Sequence, residues 1–506
     1  MVIRLVFFSI EGRTKMLGKE KLSFLSKMGA VILIFTIGLT SYFRVLYSSP
    51  FARSWDQVDF SLALERFDLL AMQPHFPGYP YFVFGGMVFN RLIENPAQAL
   101  SIFNTLMLLS SVLPIYWLAK RYLSTMASLL ACTAVQSLSY FWIMATEPMS
   151  EAAAVSVLWW FLWSLQRAKE MQARSLTVLP MFLFSVLMGI RLSYIAFGLG
   201  IILLLYSKRT LFPDKKGYLG YIVKQLVLAI LFQFIWIGGL AATEGSISNF
   251  LLLSYQFTFG HFNDWGGAIT AESTPLIERF SQLLFINIFW VGLCGESLLT
   301  AVLWGLLLIL IGSDILKNKL YFSASMGLTV SYFLWALFAQ NIDKPRHALP
   351  LIFLIAFFII VTALRSQKGR GIKILIISCL LLIQSVHGYG FVKEKANEYP
   401  ASYQLTNYLK EMKEPFVIYT WEEARVMDYL EAEYPYERVF TYEKFVSSIK
   451  QRGNKKIFIT DHVLEGFERQ GIQAERHVKK VKTFQSNPLF EPVYSSITLF
   501  EWSDHG

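Results

Sequence analysis

Charge is what this 506-residue chain has least of: 16% of its residues are charged, while 54% are hydrophobic. A soluble domain carries about 25% charged residues, so this composition excludes a soluble enzyme and a disordered chain. Cysteine is scarce as well. Cys132, Cys294 and Cys379 are odd in number, lie in or beside apolar segments and lack metal-type spacing. That excludes a disulfide scaffold and makes them small apolar residues. A Gly-rich phosphate loop is missing, which argues against a nucleotide site. Internal repeats and low-complexity tracts are missing too. Residues 1–27 hold six Lys or Arg and a short apolar stretch, Leu5–Phe8. The next apolar segment ends in Ser48-Ser49-Pro50 without a small-residue cleavage site, so it is expected to stay as the first membrane helix.

What the chain has is long apolar runs, such as Val178–Tyr206 and Leu349–Leu364, of the kind that cross a bilayer. The expected fold class is an α-helical polytopic membrane protein of about eleven spans, with a small C-terminal α/β domain. The spans fall near 28–47, 98–118, 125–144, 152–166, 177–190, 192–207, 222–241, 296–312, 322–340, 348–365 and 374–390. Residues 177–207 allow one long helix or a hairpin of two short ones bent at Gly189-Ile190-Arg191. The hairpin keeps both basic flanks on one side.

With the N-terminus cytoplasmic, the inside segments carry 21 Lys or Arg in 77 residues, and the outside loops carry seven in a longer stretch. This bias sets orientation and accounts for the net charge of +10 without nucleic acid. The expected domains are a cytoplasmic segment 1–27, a transmembrane domain 28–390 with outer loops 48–97 and 242–295, and an extracytoplasmic domain 391–506. In loop 48–97 the stretch Val58–Leu64 is expected as a helix lying along the membrane interface. Stretch 280–293 is expected to lie flat as well. Residues 391–506 carry 34 charges in 116 residues. There Pro415–Thr420, Arg438–Tyr442 and Lys456–Thr460 read as strands, with helices Glu422–Glu433 and Tyr442–Gln451 between them.

Five polar motifs fall on the outer side by the charge count. Trp55-Asp56-Gln57-Val58-Asp59 places two carboxylates and a Trp just after the first span. Gln73-Pro74-His75-Phe76-Pro77-Gly78-Tyr79-Pro80 has three prolines, which predict a rigid extended path. Glu147 lies in a short turn, Thr146 to Glu151, between apolar helices. Arg191 is the charge in an otherwise uncharged stretch, and an intramembrane ion is a functional candidate. Asp343-Lys344-Pro345-Arg346-His347 opens a late helix with two fixed cations and a His, a good anion site. Carboxylates, a His and an anion site beside apolar helices suit a substrate with a phosphate head and a lipid tail.

The layout resembles the GT-C superfamily of polyprenyl-phosphate-sugar glycosyltransferases. It is most similar to glycosyltransferase family 39, the protein O-mannosyltransferases and lipid A aminoarabinose transferases. The resemblance rests on Trp55-Asp56-Gln57, on His75-Phe76-Pro77-Gly78-Tyr79-Pro80 and on Arg346-His347-Ala348-Leu349-Pro350, and covers residues 28–390. Gln57 stands where the family usually has Glu. The resemblance implies inverting sugar transfer from a polyprenyl-phosphate donor to a glycan, lipid or protein acceptor on the outer face of a cell membrane. Asp56 is the implied general base, with Asp59 second, and partial burial is expected to raise the Asp56 pKa. Arg346 is the implied phosphate partner, supported by Lys344, His347 and Arg191; His75, Tyr79 and Glu147 complete the implied substrate contacts. No cofactor or metal is expected. A secondary transporter of a small anionic or lipid-like solute is the alternative.

Orientation is testable by single-cysteine labelling in a Cys-free background. Ser447→Cys is expected to label in intact cells, and Lys169→Cys and Lys215→Cys only after permeabilisation. The reverse pattern would invert the topology.

Overall fold

The computed structural model describes residues 27–503, apart from 172–173, 272–273, 318–323, 452 and 454. The expected N-terminal segment 1–27 thus lies outside the described residues, save Lys27. Eight described helices are long and apolar enough to cross a membrane: Lys27–Leu46, Pro96–Lys120, Leu192–Leu211, Lys215–Thr243, Leu276–Leu293, Leu298–Ile315, Pro345–Arg365 and Arg370–Lys410. A ninth is the pair Thr125–Gln136 and Ser139–Ala145, bent by 61°. Two shorter apolar helices, Ser175–Ile190 and Ser325–Ala339, complete the set. The window of Pro345–Arg365 is 89% buried and that of Lys215–Thr243 only 17%, so the former is the axis of the bundle and the latter faces lipid.

The eleven expected spans map onto these helices with two differences. Span 152–166 is the apolar part of Glu151–Glu170, whose last turn is charged. Stretch 280–293 belongs to the helix Leu276–Leu293. Arg191 and Arg346 both reach Glu151.

Breaks in the spans are satisfied internally, as a lipid environment demands. At the bend after Gln136, Arg44 donates to the Gln136 carbonyl, and Gln384 Oε1 accepts the Ser139 N–H at 2.8 Å. Residues 177–207 form the hairpin rather than one helix. The backbone is extended at Arg191, and Lys208 at the far end returns to donate to the Met171 carbonyl at 2.6 Å.

The last membrane helix runs on to Asn397, so the C-terminal domain starts some residues later than expected. It holds a five-stranded sheet: β1 (Phe416–Thr420), β2 (Tyr436–Arg438), β3 (Lys456–Thr460), β4 (Val478–Gln485) and β5 (Ser496–Trp502), in the order β2-β1-β3-β5-β4. β2, β1 and β3 are parallel, and β5 pairs antiparallel with β3 and β4. The predicted β1 and β3 are found. β2 starts and stops earlier than predicted, because Thr441 caps the helix Tyr442–Ile449 by accepting the Lys444 N–H. β4 is an edge strand with an almost wholly exposed face, so it lacks the alternation by which strands are recognised.

The domain is clamped to the bundle. Arg425 Nε donates to Asp59 Oδ1 at 2.9 Å. Tyr403 Oη accepts the Ala52 N–H at 3.1 Å. Leu489 and Phe490 sink into the core of the bundle. The helix Trp55–Leu62 therefore does not lie on a lipid interface as expected. Gln57, Val58, Asp59, Phe60 and Ser61 are all buried because the domain covers its second face.

Glu423 opens the helix after β1, and His462 lies in the helix after β3. His462 Nδ1 is 2.6 Å from Glu423 Oε1. Burial works against the imidazolium, but Glu423 and then Asp461 override it and raise the His462 pKa from 6.5 to about 9. A raised folded-state pKa stabilises fully below the unfolded value and is lost as pH climbs through the folded one. The unfolding midpoint of the C-terminal domain is expected to fall between pH 6.5 and 9. His462→Gln should flatten that slope, and an unchanged slope would remove the clamp.

Candidate active site

The site begins with the helix Trp55–Leu62. Ser54 is its N-cap residue, and Gln57 reaches back to accept the Arg53 N–H at 2.9 Å. Gln57 thus holds backbone through its oxygen. Asp56 is turned to the late helix: its Oδ2 is 2.7 Å from Arg346 Nη2. Its other oxygen lies 4.0 Å from His75 Nδ1. Asp59, three residues on, is fully buried between His75 at 3.2 Å and Arg425 at 2.9 Å.

The Pro-rich segment is a compact turn rather than the extended path expected. Asp68 and Gln73 exchange backbone hydrogen bonds, and the Gly78 N–H returns to the His75 carbonyl at 3.0 Å. Gly78, at φ +87°, is pressed between Leu240 and Leu69, a place that suits a residue without Cβ. The turn aims His75 Nδ1 at Asp59 and Nε2 at the Tyr79 hydroxyl, 3.0 Å away. An ionised carboxylate only accepts, so Nδ1 carries the proton and Nε2 accepts from Tyr79.

Arg346 is the hub. Besides Asp56 it meets Glu151 Oε1 at 3.2 Å through Nε, and Glu491 Oε2 at 4.0 Å through Nη1. Glu151 also holds Arg191 Nη2 at 3.0 Å, and Ser150 Oγ accepts from Arg191 Nη1 at 2.9 Å. Lys344 differs. Among the described residues its ammonium has no hydrogen-bond or ion-pair partner, and it lines a cavity of about 210 Å³. Arg346, three acids (Glu147, Glu296 and Asp343) and the apolar side chains of Met144, Ile286, Leu489 and Phe490 share that wall. An ammonium and a guanidinium there can meet an anionic group.

The structure therefore brings together Asp56, Asp59, His75, Tyr79, Arg191, Lys344 and Arg346. Glu147 pairs with Lys395 of the last membrane helix at 2.9 Å and lines the same cavity as Lys344 and Arg346. His347 Nδ1 bonds the Asn341 carbonyl at 3.0 Å, so that nitrogen does not serve the anion site. Sequence reasoning missed Glu151, Glu491 and Arg425. Glu151 was the other acid of the same outer turn, at a helix start; Glu491 and Arg425 carry no local signal, being charged residues of a charged domain.

Burial alone would raise the Asp56 pKa, but His75, Lys344, Arg346 and Arg191 together hold it well below the usual carboxylate range. The expected upward shift is thus reversed. Asp59 does shift up, because burial outweighs His75 and Arg425. Glu423, Asp461 and His462 are the group of metal-type side chains that the described residues bring together, within 4.8 Å. His462 is already bonded to Glu423, and Asp461 Oδ2 accepts the Thr498 N–H at 2.8 Å.

The polytopic bundle closes an acid–arginine site beneath a small α/β domain, and solved membrane proteins share this fold. Residues 74–258 match the family model of dolichyl-phosphate-mannose-protein mannosyltransferase, a stretch that contains His75, Tyr79, Glu151 and Arg191. The chain is similar in fold to ArnT from Cupriavidus metallidurans bound to undecaprenyl phosphate, with TM-score 0.55 at 9% identity, over 92% of this chain and 97% of that one. The apo form of the same protein gives TM-score 0.56 at the same identity and coverage. At that identity the likeness is one of fold. No curated protein matches the sequence.

Glu151 is 1% exposed and shared by two guanidinium groups. Removing one partner from a buried ion pair costs about 3–5 kcal/mol. Glu151→Gln is expected to lower the unfolding temperature of the purified protein by a corresponding amount, and a wild-type midpoint would remove its bridging role.

Proposed function

We propose that the protein is a glycosyltransferase that moves a sugar from a polyprenyl-phosphate donor to an acceptor on the outer face of the membrane. The observation that carries this reading is the pairing of Asp56 with Arg346 beside the unpartnered Lys344 on a cavity wall. The outer face follows from the Lys/Arg bias of the loops. In the reaction the acceptor oxygen attacks the anomeric carbon from the side opposite the phosphate. The bond from that carbon to the phosphate oxygen breaks, and polyprenyl phosphate leaves with the electron pair. Inversion results from the single displacement. The acceptor proton passes to Asp56. Lys344 and Arg346 stabilise the charge that grows on the departing phosphate. Metal is not required by this scheme.

The lowered Asp56 pKa fits into the same cycle. In the free protein His75, then Lys344 and the Arg346 guanidinium, hold Asp56 ionised and weakly basic. A donor phosphate competes for that guanidinium and draws it from the carboxylate, so Asp56 becomes a better base when donor is in place. His75, held by Asp59 and Tyr79, lies 4.0 Å from Asp56 and contributes to the field around that carboxylate.

Two variants separate base from mere counter-ion. Asp56→Asn keeps size and cannot take a proton, yet it frees Arg346. Donor binding is expected to hold or tighten while turnover with a lipid-linked sugar is abolished; near-wild-type turnover would leave the mechanism without its base. Lys344→Met removes a cation without stranding an acid. A charge-assisted contact contributes ~1.5–3 kcal/mol, so kcat/KM for the donor is expected to drop roughly ten- to a hundredfold. The unfolding temperature should stay unchanged, and an unaltered kcat/KM would remove Lys344 from the phosphate seat.

A further inference from the structure

Arg438 ends β2, where the parallel strands of the C-terminal sheet point toward the bundle. Three rings hold its guanidinium: the central carbon lies 4.2 Å from the ring centroid of Trp55, 4.5 Å from Phe440 and 5.0 Å from Trp421. Its Nε is buried without an acceptor. Among the described residues no side chain accepts a hydrogen bond from the group, and no carboxylate pairs with it. Glu422, the nearby acid, instead accepts from the Tyr494 hydroxyl.

Ring faces attract the charge of a guanidinium but accept little from its N–H edge. The rings therefore fix the plane and leave the fork unspent. Domain docking does not explain this arrangement, because Arg425 does that work. It meets Asp59 at 2.9 Å and the Ala71 and Met72 carbonyls at 3.1 Å each, beside the same Trp55 ring. Arg438 makes none of these bonds. Phe440 is 50% exposed, so the cluster opens to water. Trp55 adjoins Asp56 in the chain, which places the cluster next to the proposed base, and none of its residues lines the cavity of Lys344.

We propose that Arg438, held by Trp55, Trp421 and Phe440, is the seat for an anionic group of the acceptor, a phosphate or a carboxylate. A planar fork matches either group with two parallel hydrogen bonds. Anchored there, an acceptor presents its nucleophile beside Asp56 while the donor phosphate occupies Lys344 and Arg346. This assignment rests on the transfer reading above, which it extends from donor to acceptor.

The probe is inorganic phosphate, titrated into full-length protein in phosphatidylcholine nanodiscs and followed by 31P line broadening. In Lys344→Met, which disables the donor seat, phosphate binding is expected to persist. Adding Arg438→Gln should weaken it roughly tenfold or more, and Arg438→Lys should restore it only in part. Unfolding temperatures of all variants should match that of Lys344→Met. Phosphate binding that is absent in Lys344→Met, or indifferent to Arg438→Gln, would overturn the proposal. So would a fall in unfolding temperature on Arg438→Gln with binding intact, which would make Arg438 a docking residue. Phosphatidic acid doped into the nanodiscs distinguishes the source. If it displaces inorganic phosphate, the acceptor anion is lipid-borne; if it does not, the anion belongs to a water-borne acceptor. Loss of the Arg438 seat with sugar transfer intact would sink this assignment alone. An Arg438 seat in a protein that transfers no sugar would sink the transfer reading and the acceptor role with it.

Discussion

A guanidinium buried at the end of a membrane bundle has to be neutralised, and Arg346 is where that requirement is met. Two charges taken out of water hold together only if both are paired and well placed. Arg346 draws on Asp56 from the loop after the first helix, on Glu151 from the start of the fourth and on Glu491 from the C-terminal domain. Through Glu151 it also fixes Arg191, at the tip of a hairpin. Segments far apart in the chain converge because each supplies a charge that the others need.

The pairing is also what readies the site for chemistry. Every cation at its centre except Lys344 already has a carboxylate. A phosphate that enters competes with those carboxylates, and the acid it displaces from Arg346 is the one placed to accept a proton. Ion pairs that stabilise the empty site thus become the means by which the donor activates its base. The C-terminal domain is part of this device. It buries the second face of the Trp55–Leu62 helix, supplies Glu491, and through Arg425 holds Asp59 so that His75 keeps a single orientation.

Much of this was legible in the sequence. The long apolar runs and the uneven Lys/Arg distribution showed a polytopic membrane protein, and the five outer motifs contained most of the residues that meet at the site. Asp56 and Arg346 were identified from local features because charge at a membrane surface is costly and stands out. Glu151 was not separated from Glu147: both acids lie in one short turn, and the direction of a side chain at a helix start is not a local property. β4 was missed because an exposed edge strand has no buried face to impose alternation.

The sequence by itself determined the class of environment, the number and order of apolar helices to a close approximation, and which charges had to be explained. Those follow from composition and from spacing along the chain, which transfer energies read directly. Only the tertiary structure decided which charges pair. It turned the Asp56 pKa downward, gave Glu147 a partner in Lys395 and His347 Nδ1 a backbone carbonyl, and left Lys344 and Arg438 with donors unspent. The reason is that an ion's energy depends on the distance to its partners through a low-dielectric interior, and those distances join residues hundreds of positions apart.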